Sequence, residues 1–258
     1  MLLRCNGGNK NNATTLAISG NGATIVRWQV GENNIFYPKQ FTKNRAGELK
    51  DRGGCFIGAP VFGCPEEAFA IGLPQHGTVR QSLPHHSSLG KVSENHASFT
   101  FQTPGSYSDL DGYPFEWWLQ VDEVVYENGF DHAMQVMRKP SAIVAATKPM
   151  YFNAGIHPYF PAPGAVRIGD RVIQFGDMVE TEKVEVPDDG IIRVELDFGE
   201  VTMTMKGYKW LNLWSDHGDK FFCVEPLWDH PRRWGTEEGL YLQENQPMEL
   251  ACSFMFSE

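Results

Sequence analysis

Four segments of the chain alternate apolar and polar side chains with a period of two residues, and this pattern restricts the possible folds most strongly. They cover residues 115–122, 192–198, 201–206 and 250–256. Such alternation is typical of a β-strand with one buried face. Gly199-Glu200 separates the second segment from the third and predicts the turn of a hairpin. We find no amphipathic helix of three turns, so the sequence predicts an all-β protein with large antiparallel sheets.

Length and composition agree with this prediction. The 258 residues include 26 glycines and 16 prolines, a turn-rich balance that favours many short strands over long helices. Sandwiched and closed β architectures often use this length as one domain. No fixed repeat or low-complexity linker interrupts the chain, so we expect a single domain over residues 1–258.

Charge and cysteine content limit the possible partners and location. The net charge of −10 gives no basic footprint for nucleic acid. No run of about 18 apolar residues predicts a membrane span, and the polar N-terminal segment does not resemble a signal peptide. Five cysteines without metal-binding spacing predict free, mostly buried thiols in a reducing compartment, hence the cytoplasm. Both a monomer and a homodimer are compatible with the sequence.

Three short segments carry residues suited to acid–base chemistry or ligand binding. Glu225 ends an apolar run; burial in a cleft would raise its pKa towards that of a general base, whereas the alternative is a strand-end side chain in water. His157 is either a proton-transfer group or a buried histidine satisfied by the backbone. His76 precedes Gly77, which lets the backbone approach a ligand closely.

Other kinds of site find little support. His85, His86 and His96 lack the spacing of a metal site, and no acidic or cysteine cluster completes one. Phosphate-binding loops, dinucleotide fingerprints and a G-x-S-x-G serine elbow are all missing from the sequence. We therefore expect neither a cofactor nor a metal. The Gly- and Pro-rich stretch of residues 55–89 is interpreted as a long irregular segment, either a functional loop or a surface crossover.

Taken in order, four segments resemble the aldose 1-epimerase (galactose mutarotase-like) superfamily, most closely its hexose-6-phosphate mutarotase (glucose-6-phosphate 1-epimerase) branch. They read RGGCFIGAPVFG from residue 52, LPQHGTVR from residue 73, NAGIHPYF from residue 153 and FFCVEP from residue 221. The resemblance implies a galactose mutarotase-like β-supersandwich with a sugar cleft and no cofactor. Phe56 occupies a usual proline position. Two further departures stand out: Thr78-Val79 replaces Phe-Ala, which removes an aromatic wall, and Pro84-His85-His86 stands where the phosphosugar branch continues with an aromatic-rich strand.

The resemblance also implies residue roles. Glu225 matches the general base on the C1 hydroxyl of an aldose, and His157 matches the general acid at the ring oxygen. His76 matches a second histidine that binds the sugar. Arg52 and Arg80 match arginines that bind the 6-phosphate in the phosphosugar branch.

Three points stay open. Asp177 or Asp216 is a further candidate ligand for a sugar hydroxyl. A non-catalytic carbohydrate-binding protein on the same scaffold is the main alternative function, because a fold does not fix a function. A glycoside hydrolase would need a second carboxylate beside Glu225, for which Asp229 or another acidic residue is the candidate.

Overall fold

The computed structural model describes residues 1–6, 13–44, 46–82, 90–93, 95–102, 113–140, 148–175, 182–216 and 220–258. In chain order, the strands are β1 (Leu2–Cys5), β2 (Thr14–Ile18), β3 (Ile25–Val30), β4 (Asn33–Asn34), β5 (Gln40–Lys43), β6 (Leu49–Arg52), β7 (Cys55–Gly58), β8 (Gly90–Ser93), β9 (His96–Gln102), β10 (Trp117–Tyr126), β11 (Gly129–Arg138), β12 (Met150–Tyr151), β13 (Gly155–Pro161), β14 (Gly164–Ile168), β15 (Arg171–Gln174), β16 (Glu182–Glu185), β17 (Ile191–Leu196), β18 (Gly199–Lys206), β19 (Trp210–Trp214), β20 (Phe221–Leu227), β21 (Tyr241–Leu242) and β22 (Met248–Ser257). One short helix, α1 (Glu66–Ala70), and 3-10 turns at Val79–Gln81 and Pro231–Arg233 complete the described elements.

Two nine-stranded sheets dominate the molecule. The first, here called the site sheet, has the order β1-β2-β3-β7-β13-β20-β19-β16, with β4 beside β3. The second, the outer sheet, has the order β15-β14-β17-β18-β22-β11-β10-β9-β8. Two small pairs, β5–β6 and β12–β21, lie outside both sheets. All the strand pairings within the two large sheets are antiparallel, as the sequence predicted.

The two large sheets pack against each other through aromatic side chains. The ring of Trp28 on β3 lies 5.0 Å from that of Phe130 on β11 and 5.9 Å from that of Phe254 on β22. These edge-to-face contacts are a favoured arrangement of buried rings. The main core therefore lies between the sheets, and the opposite face of the site sheet remains available for a cleft.

The predicted alternation is confirmed in the outer sheet. Along β10, Trp117, Leu119 and Val121 are buried and the residues between them are half-buried. Leu250, Cys252, Phe254 and Phe256 are likewise the buried side of β22. The predicted hairpin is also present, as β17 pairs with β18.

The predicted position of the hairpin turn is wrong by two residues. Leu196 pairs with Gly199, so Asp197-Phe198 forms the turn and Gly199 begins β18. Gly199 has a φ of +150°, and a Cβ there would lie 2.4 Å from the carbonyl oxygen of Ser257. The glycine is thus required by a close approach to β22 rather than by the turn.

The segment 55–89 is more regular than expected. Its first four residues form β7, a strand within the site sheet, and α1 and a 3-10 turn follow. His85 and His86 lie outside the described residues, as does Asp177. All five cysteines are free thiols, of which Cys55, Cys223 and Cys252 are buried, Cys5 is half-buried and Cys64 is exposed. Among the residues that the structure describes, no helix has the length and apolar character to cross a membrane.

Candidate active site

His157 and Glu225 meet on the floor of a cleft in the site sheet. The pairings of Gly155 with Leu227 and of Tyr159 with Cys223 place His157 opposite Glu225 across β13 and β20. The Nε2 atom of His157 lies 3.2 Å from Oε1 of Glu225, and both side chains are almost fully buried. The two residues, 68 positions apart in the chain, are therefore brought together by strand pairing, as the proposed acid–base pair requires.

This pair belongs to a row of side chains across five adjacent strands. Phe56 on β7 pairs with His157, Asn212 on β19 pairs with Glu225, and Lys183 on β16 pairs with Asn212. Neighbouring strands lie about 4.8 Å apart, and paired residues point to the same face. The row thus presents an aromatic ring, an imidazole, a carboxylate, an amide and an ammonium group to one cleft.

Burial on both faces distinguishes the two strands that carry the pair. All seven residues of β20 are buried, and so are the first six of β13. On the core side lie residues such as Ile156 and Val224, whereas Tyr159, Phe221 and Cys223 form a second apolar cluster with Phe56 and Trp214 on the cleft side. The pair thus lies between the core and a second apolar cluster.

His76 occupies a strained position beside the pair. Its φ is +60°, and the following Gly77 has a φ of +68° with no room for a Cβ, which would lie 2.0 Å from the carbonyl oxygen of Ala59. The backbone N–H of Gly63 donates to Nδ1 of His76 at 3.2 Å. Burial, then Arg80 and Arg52, lowers the pKa of His76 to about 3. The ring is therefore neutral, with its hydrogen on Nε2, where it is a hydrogen-bond donor.

Arg52 and Arg80 both reach the same cleft. Nη2 of Arg52 donates to Oδ2 of Asp216 at 2.7 Å, and its guanidinium lies 5.1 Å from the centre of the Trp214 ring. The guanidinium of Arg80 lies 5.5 Å from the centre of the Phe56 ring. The Nε atoms of both arginines are buried and have no hydrogen-bond partner. Asp216 does not line the cavity and instead holds Arg52.

The cavity has a volume of about 420 Å³, and all five candidate residues, Arg52, His76, Arg80, His157 and Glu225, line it. Sequence reasoning did not find several other lining residues: Phe56, Phe62, Tyr159, Lys183, Asn212 and Trp214. The register between neighbouring strands brings such residues to the cavity, and this register is known only once the order of the strands in the sheet is known. Of the tryptophans, Trp214 lines the cavity, whereas Trp117 is buried in the core.

Aromatic side chains flank both histidines of the cleft. The Phe56 ring stacks on His157 with 4.5 Å between ring centres and meets His76 edge-on at 5.3 Å. Phe62 meets His76 from another side at 4.8 Å. Phe56 thus supplies an aromatic surface to both histidines.

The surroundings shift the pKa values of the pair in opposite directions. Burial raises the pKa of Glu225 to about 8, against lowering contributions from the Asn212 amide and from Lys183. Nδ2 of Asn212 donates to Oε2 of Glu225 at 2.6 Å. Burial, followed by His76 and Arg52, holds the pKa of His157 well below its usual value. Near neutral pH the pair therefore holds one proton between two sites.

Cys223 adds a third donor atom close to the pair. One donor atom each from His157, Cys223 and Glu225 lies within 4.8 Å of the other two. These are ligand types that zinc accepts, and the sequence did not indicate this cluster. Burial raises the pKa of the Cys223 thiol well above its usual value, so the sulfur is protonated. The absence of a resident metal stays a prediction.

Asp229 is not available as the second carboxylate of a glycoside hydrolase. Its Oδ1 accepts the backbone N–H of His230 at 2.8 Å, and its Oδ2 accepts that of Leu240 at 2.9 Å. It does not line the cavity. The carboxylate fixes a loop instead of facing Glu225.

No protein-family model matches this sequence, and no curated protein is significantly similar to it. Solved structures with the same fold do exist. A galactose mutarotase related enzyme from Lactobacillus acidophilus has a TM-score of 0.75 and 14% identity, over 100% of this chain and 98% of that one. A galactose mutarotase-like protein from Lactobacillus casei has a TM-score of 0.74 and 14% identity, over 100% of both chains. Galactose 1-epimerase from L. acidophilus has a TM-score of 0.64 and 13% identity, over 97% of this chain and 92% of that one. The chain therefore has the galactose mutarotase-like fold.

Proposed function

We propose that this protein is a mutarotase that interconverts the α and β anomers of an aldose, with hexose 6-phosphates as its substrates. The observation that carries the proposal is the His157–Glu225 contact of 3.2 Å in a cavity large enough for a sugar. Mutarotation requires one group that takes a proton and one that gives a proton, both at the same hemiacetal. A pair that shares one proton satisfies this requirement without a cofactor.

The proposed reaction conserves the number of protons on the pair. Because burial raises the pKa of Glu225, the shared proton is mainly on Glu225 near neutral pH, and the reacting form is the minor one in which this proton has moved to His157. The Glu225 carboxylate takes the proton of the C1 hydroxyl while His157 gives its proton to the ring oxygen. The bond between C1 and the ring oxygen breaks, and an open-chain aldehyde forms. After rotation about the C1–C2 bond, the two groups exchange roles and the ring closes with the opposite anomeric configuration. Positioned proton transfer contributes about 10²- to 10⁴-fold per group.

The charges of the cavity favour an anionic sugar. Although the chain has a net charge of −10, the cavity is lined by Lys50, Arg52, Arg80, Lys183 and Arg232 and by only two acidic residues among those described, Asp51 and Glu225. Arginine suits phosphate because its planar fork donates two parallel hydrogen bonds. We assign the 6-phosphate to Arg52 and Arg80, whose Nε atoms are buried without partners.

A phosphate in this position would also prepare the acid. Arg52 and Arg80 are among the causes that lower the pKa of His157. Negative charge placed against them offsets their effect, which raises the pKa of His157 and favours the form with the proton on the imidazole. Substrate charge and acid catalysis are thus coupled through the same two arginines.

His76 and the aromatic side chains complete the proposed site. Its neutral ring has a free donor at Nε2 for a sugar hydroxyl, since Nδ1 is occupied by the backbone of Gly63. Trp214 and Phe56 offer flat apolar surfaces, against which the C–H faces of a pyranose pack. These groups orient the sugar, whereas His157 and Glu225 move protons.

Magnetisation-exchange NMR tests the function directly. Anomer exchange is measured for glucose, galactose and glucose 6-phosphate in the same buffer with and without protein. We expect the largest acceleration for glucose 6-phosphate, and a selective loss of that preference in Arg80→Met, with Lys206→Met on the outer sheet as the matched control. If no sugar exchanges faster than in buffer but calorimetry detects sugar binding, the non-catalytic carbohydrate-binding alternative is correct.

A further inference from the structure

Three cationic side chains in the cavity are not used by the proposed mechanism. Lys50 pairs with Glu48 at 3.0 Å, which leaves Lys183 and Arg232. Lys183 projects from β16, and Arg232 lies in the 3-10 turn Pro231–Arg233 that follows β20. Both line the cavity. Within the described part of the chain, neither side chain has an ion pair or a side-chain hydrogen bond. They are therefore available to a ligand.

These two cations lie on the opposite side of the acid–base pair from Arg80. Arg80 covers Phe56 on β7, whereas Lys183 is on β16, and the order of the strands is β7-β13-β20-β19-β16. Four strand spacings of about 4.8 Å separate the two edges of this floor. The pKa shifts agree with this placement. Arg52 and Arg80 contribute to the lowered pKa of His157, whereas Lys183 contributes a lowering effect to the pKa of Glu225. Cationic side chains thus lie at both edges of this floor, Arg80 over β7 and Lys183 on β16, whereas Arg52 lies over Trp214 on β19.

The covalent structure of an aldopyranose determines which of its atoms face each end. The proposed function, on which this inference rests, places the C1 hydroxyl at Glu225 and the ring oxygen at His157. Carbon 5, which carries C6 and its phosphate, is bonded to the ring oxygen and lies on the side of Arg80. Carbons 2 and 3 continue from C1 in the other direction, towards Lys183 and Arg232.

We propose that Lys183 and Arg232 form a second anion-binding subsite, and that the substrate class is an aldose 6-phosphate with a further acidic group on C2 or C3. Lys and Arg are hydrogen-bond donors only, so they complement an acidic substituent better than a hydroxyl, which is also a donor. Burial, and then the neighbouring Arg232, lowers the pKa of Lys183. An anion between the two side chains removes their mutual repulsion.

A pair of probes that differ by one acidic group tests the proposal. N-acetylmuramic acid 6-phosphate carries a lactyl carboxylate on the C3 oxygen, and N-acetylglucosamine 6-phosphate lacks it. The measured quantity is the ratio of kcat/KM for anomer exchange of the first compound to that of the second. We expect a ratio of at least about 10 in the unaltered protein, because a well-placed charged contact contributes at least one such factor.

Variants of the two cations separate the subsite from other roles of the same residues. Lys183→Met and Arg232→Met should each bring the ratio close to one, while Lys206→Met on the outer sheet should leave it unchanged. An effect of Lys183 on Glu225 alone would slow both compounds equally and leave the ratio high, which would overturn the proposal. A ratio near one in the unaltered protein would also overturn it. If Lys183→Met does not fold, Arg232→Met, at an exposed position, decides the outcome.

The same compounds distinguish failure of this inference from failure of the proposed function. If neither compound nor glucose 6-phosphate exchanges faster than in buffer, the mutarotase proposal is wrong, and calorimetric Kd values for the two compounds then test the subsite alone. Tighter binding of the carboxylate compound that is lost in Lys183→Met supports the subsite. Equal Kd values for the two compounds reject it.

Discussion

Within the part of the chain that the structure describes, two imidazole–carboxylate pairs are buried, one in each large sheet. In the outer sheet, Nδ1 of His132 lies 2.6 Å from Oε1 of Glu123. In the site sheet, Nε2 of His157 lies 3.2 Å from Oε1 of Glu225. Both pairs join neighbouring antiparallel strands, and all four side chains are at most 5% exposed. Neither contact nor burial therefore distinguishes a catalytic pair from a structural one.

What differs is the space in front of each pair. His132 pairs with Cys252 on β22, whose side chain belongs to the core between the sheets, and neither His132 nor Glu123 lines the cavity. His157 and Glu225 line it, beside His76 and two arginines. The outer pair is at most 3% exposed and faces the core, so we expect it to stabilise the fold. The following predictions test this comparison.

The largest expected effect is on activity and separates the two carboxylates. Glu225→Gln keeps the shape of the side chain but removes the base, so we expect anomer exchange of glucose 6-phosphate to fall about 10²- to 10⁴-fold. Glu123→Gln should leave the rate within about twofold, because its pair does not contact the cavity. Both rates are measured by magnetisation-exchange NMR after subtraction of the spontaneous rate.

Circular dichroism of both variants provides the control, since each must retain the β spectrum of the unaltered protein. Equal losses of activity in the two variants would contradict the assignment of separate roles. Unchanged exchange in Glu225→Gln would remove the acid–base mechanism altogether.

The second effect is on stability, and here the Glu123 variant is expected to lose stability whereas the Glu225 variant is expected to gain it. Glu123→Ala leaves His132 without a partner in the core, and breaking a buried pair in this way reduces the free energy of unfolding by about 3–5 kcal/mol.

Burial raises the pKa of Glu225 from its usual 4.5 to about 8, so this carboxyl group opposes folding as pH rises through that range. We expect Glu225→Gln to gain stability relative to the unaltered protein between those pH values. Urea unfolding at several pH values measures both quantities.

The third effect concerns the pH dependence of activity. The pair needs one proton, and Glu225 loses the last proton of the pair as pH rises through its pKa of about 8. The rate should therefore fall about tenfold per pH unit well above that value. On the acid side it should persist below the usual histidine pKa, because burial and nearby cations lower the pKa of His157. A rate that keeps rising above this pKa, after correction for spontaneous exchange, would exclude a shared proton.

Sequence alone predicted the outer sheet better than the site sheet, for a physical reason. A strand with one face in the core and one in solvent has an apolar residue at every second position, as in β10 and β22. β20 is buried on both faces, and its apolar run gives no such period. The motif around Glu225 located the strand through family resemblance rather than through periodicity.

The same distinction applies to the site. His76, His157 and Glu225 stand in recognisable local motifs, and so do the two arginines. Asn212 and Lys183 contribute through their position in one row across the sheet, which depends on register between strands distant in sequence. Glu123 and His132 also form a contact that their sequence context did not reveal. Pairings of this kind follow from the folded sheet.

The smallest effect tests whether Phe56 positions His157. Their rings stack with 4.5 Å between centres at an angle of 28°, and contacts of this kind contribute about 0.5–1.5 kcal/mol. Phe56→Leu should therefore lower kcat about 2- to 10-fold, the factor to which that energy corresponds. Phe130 and Phe254 stack in the core at 4.6 Å, so Phe130→Leu is the matched control, which should lower stability and leave kcat unchanged.

Because Arg80 also rests on the Phe56 ring, KM for glucose 6-phosphate should rise in Phe56→Leu, whereas KM for glucose should not. A change in KM without a change in kcat would mean that Phe56 supports only Arg80 and that His157 is held by other contacts, such as the Tyr159 ring 4.7 Å away.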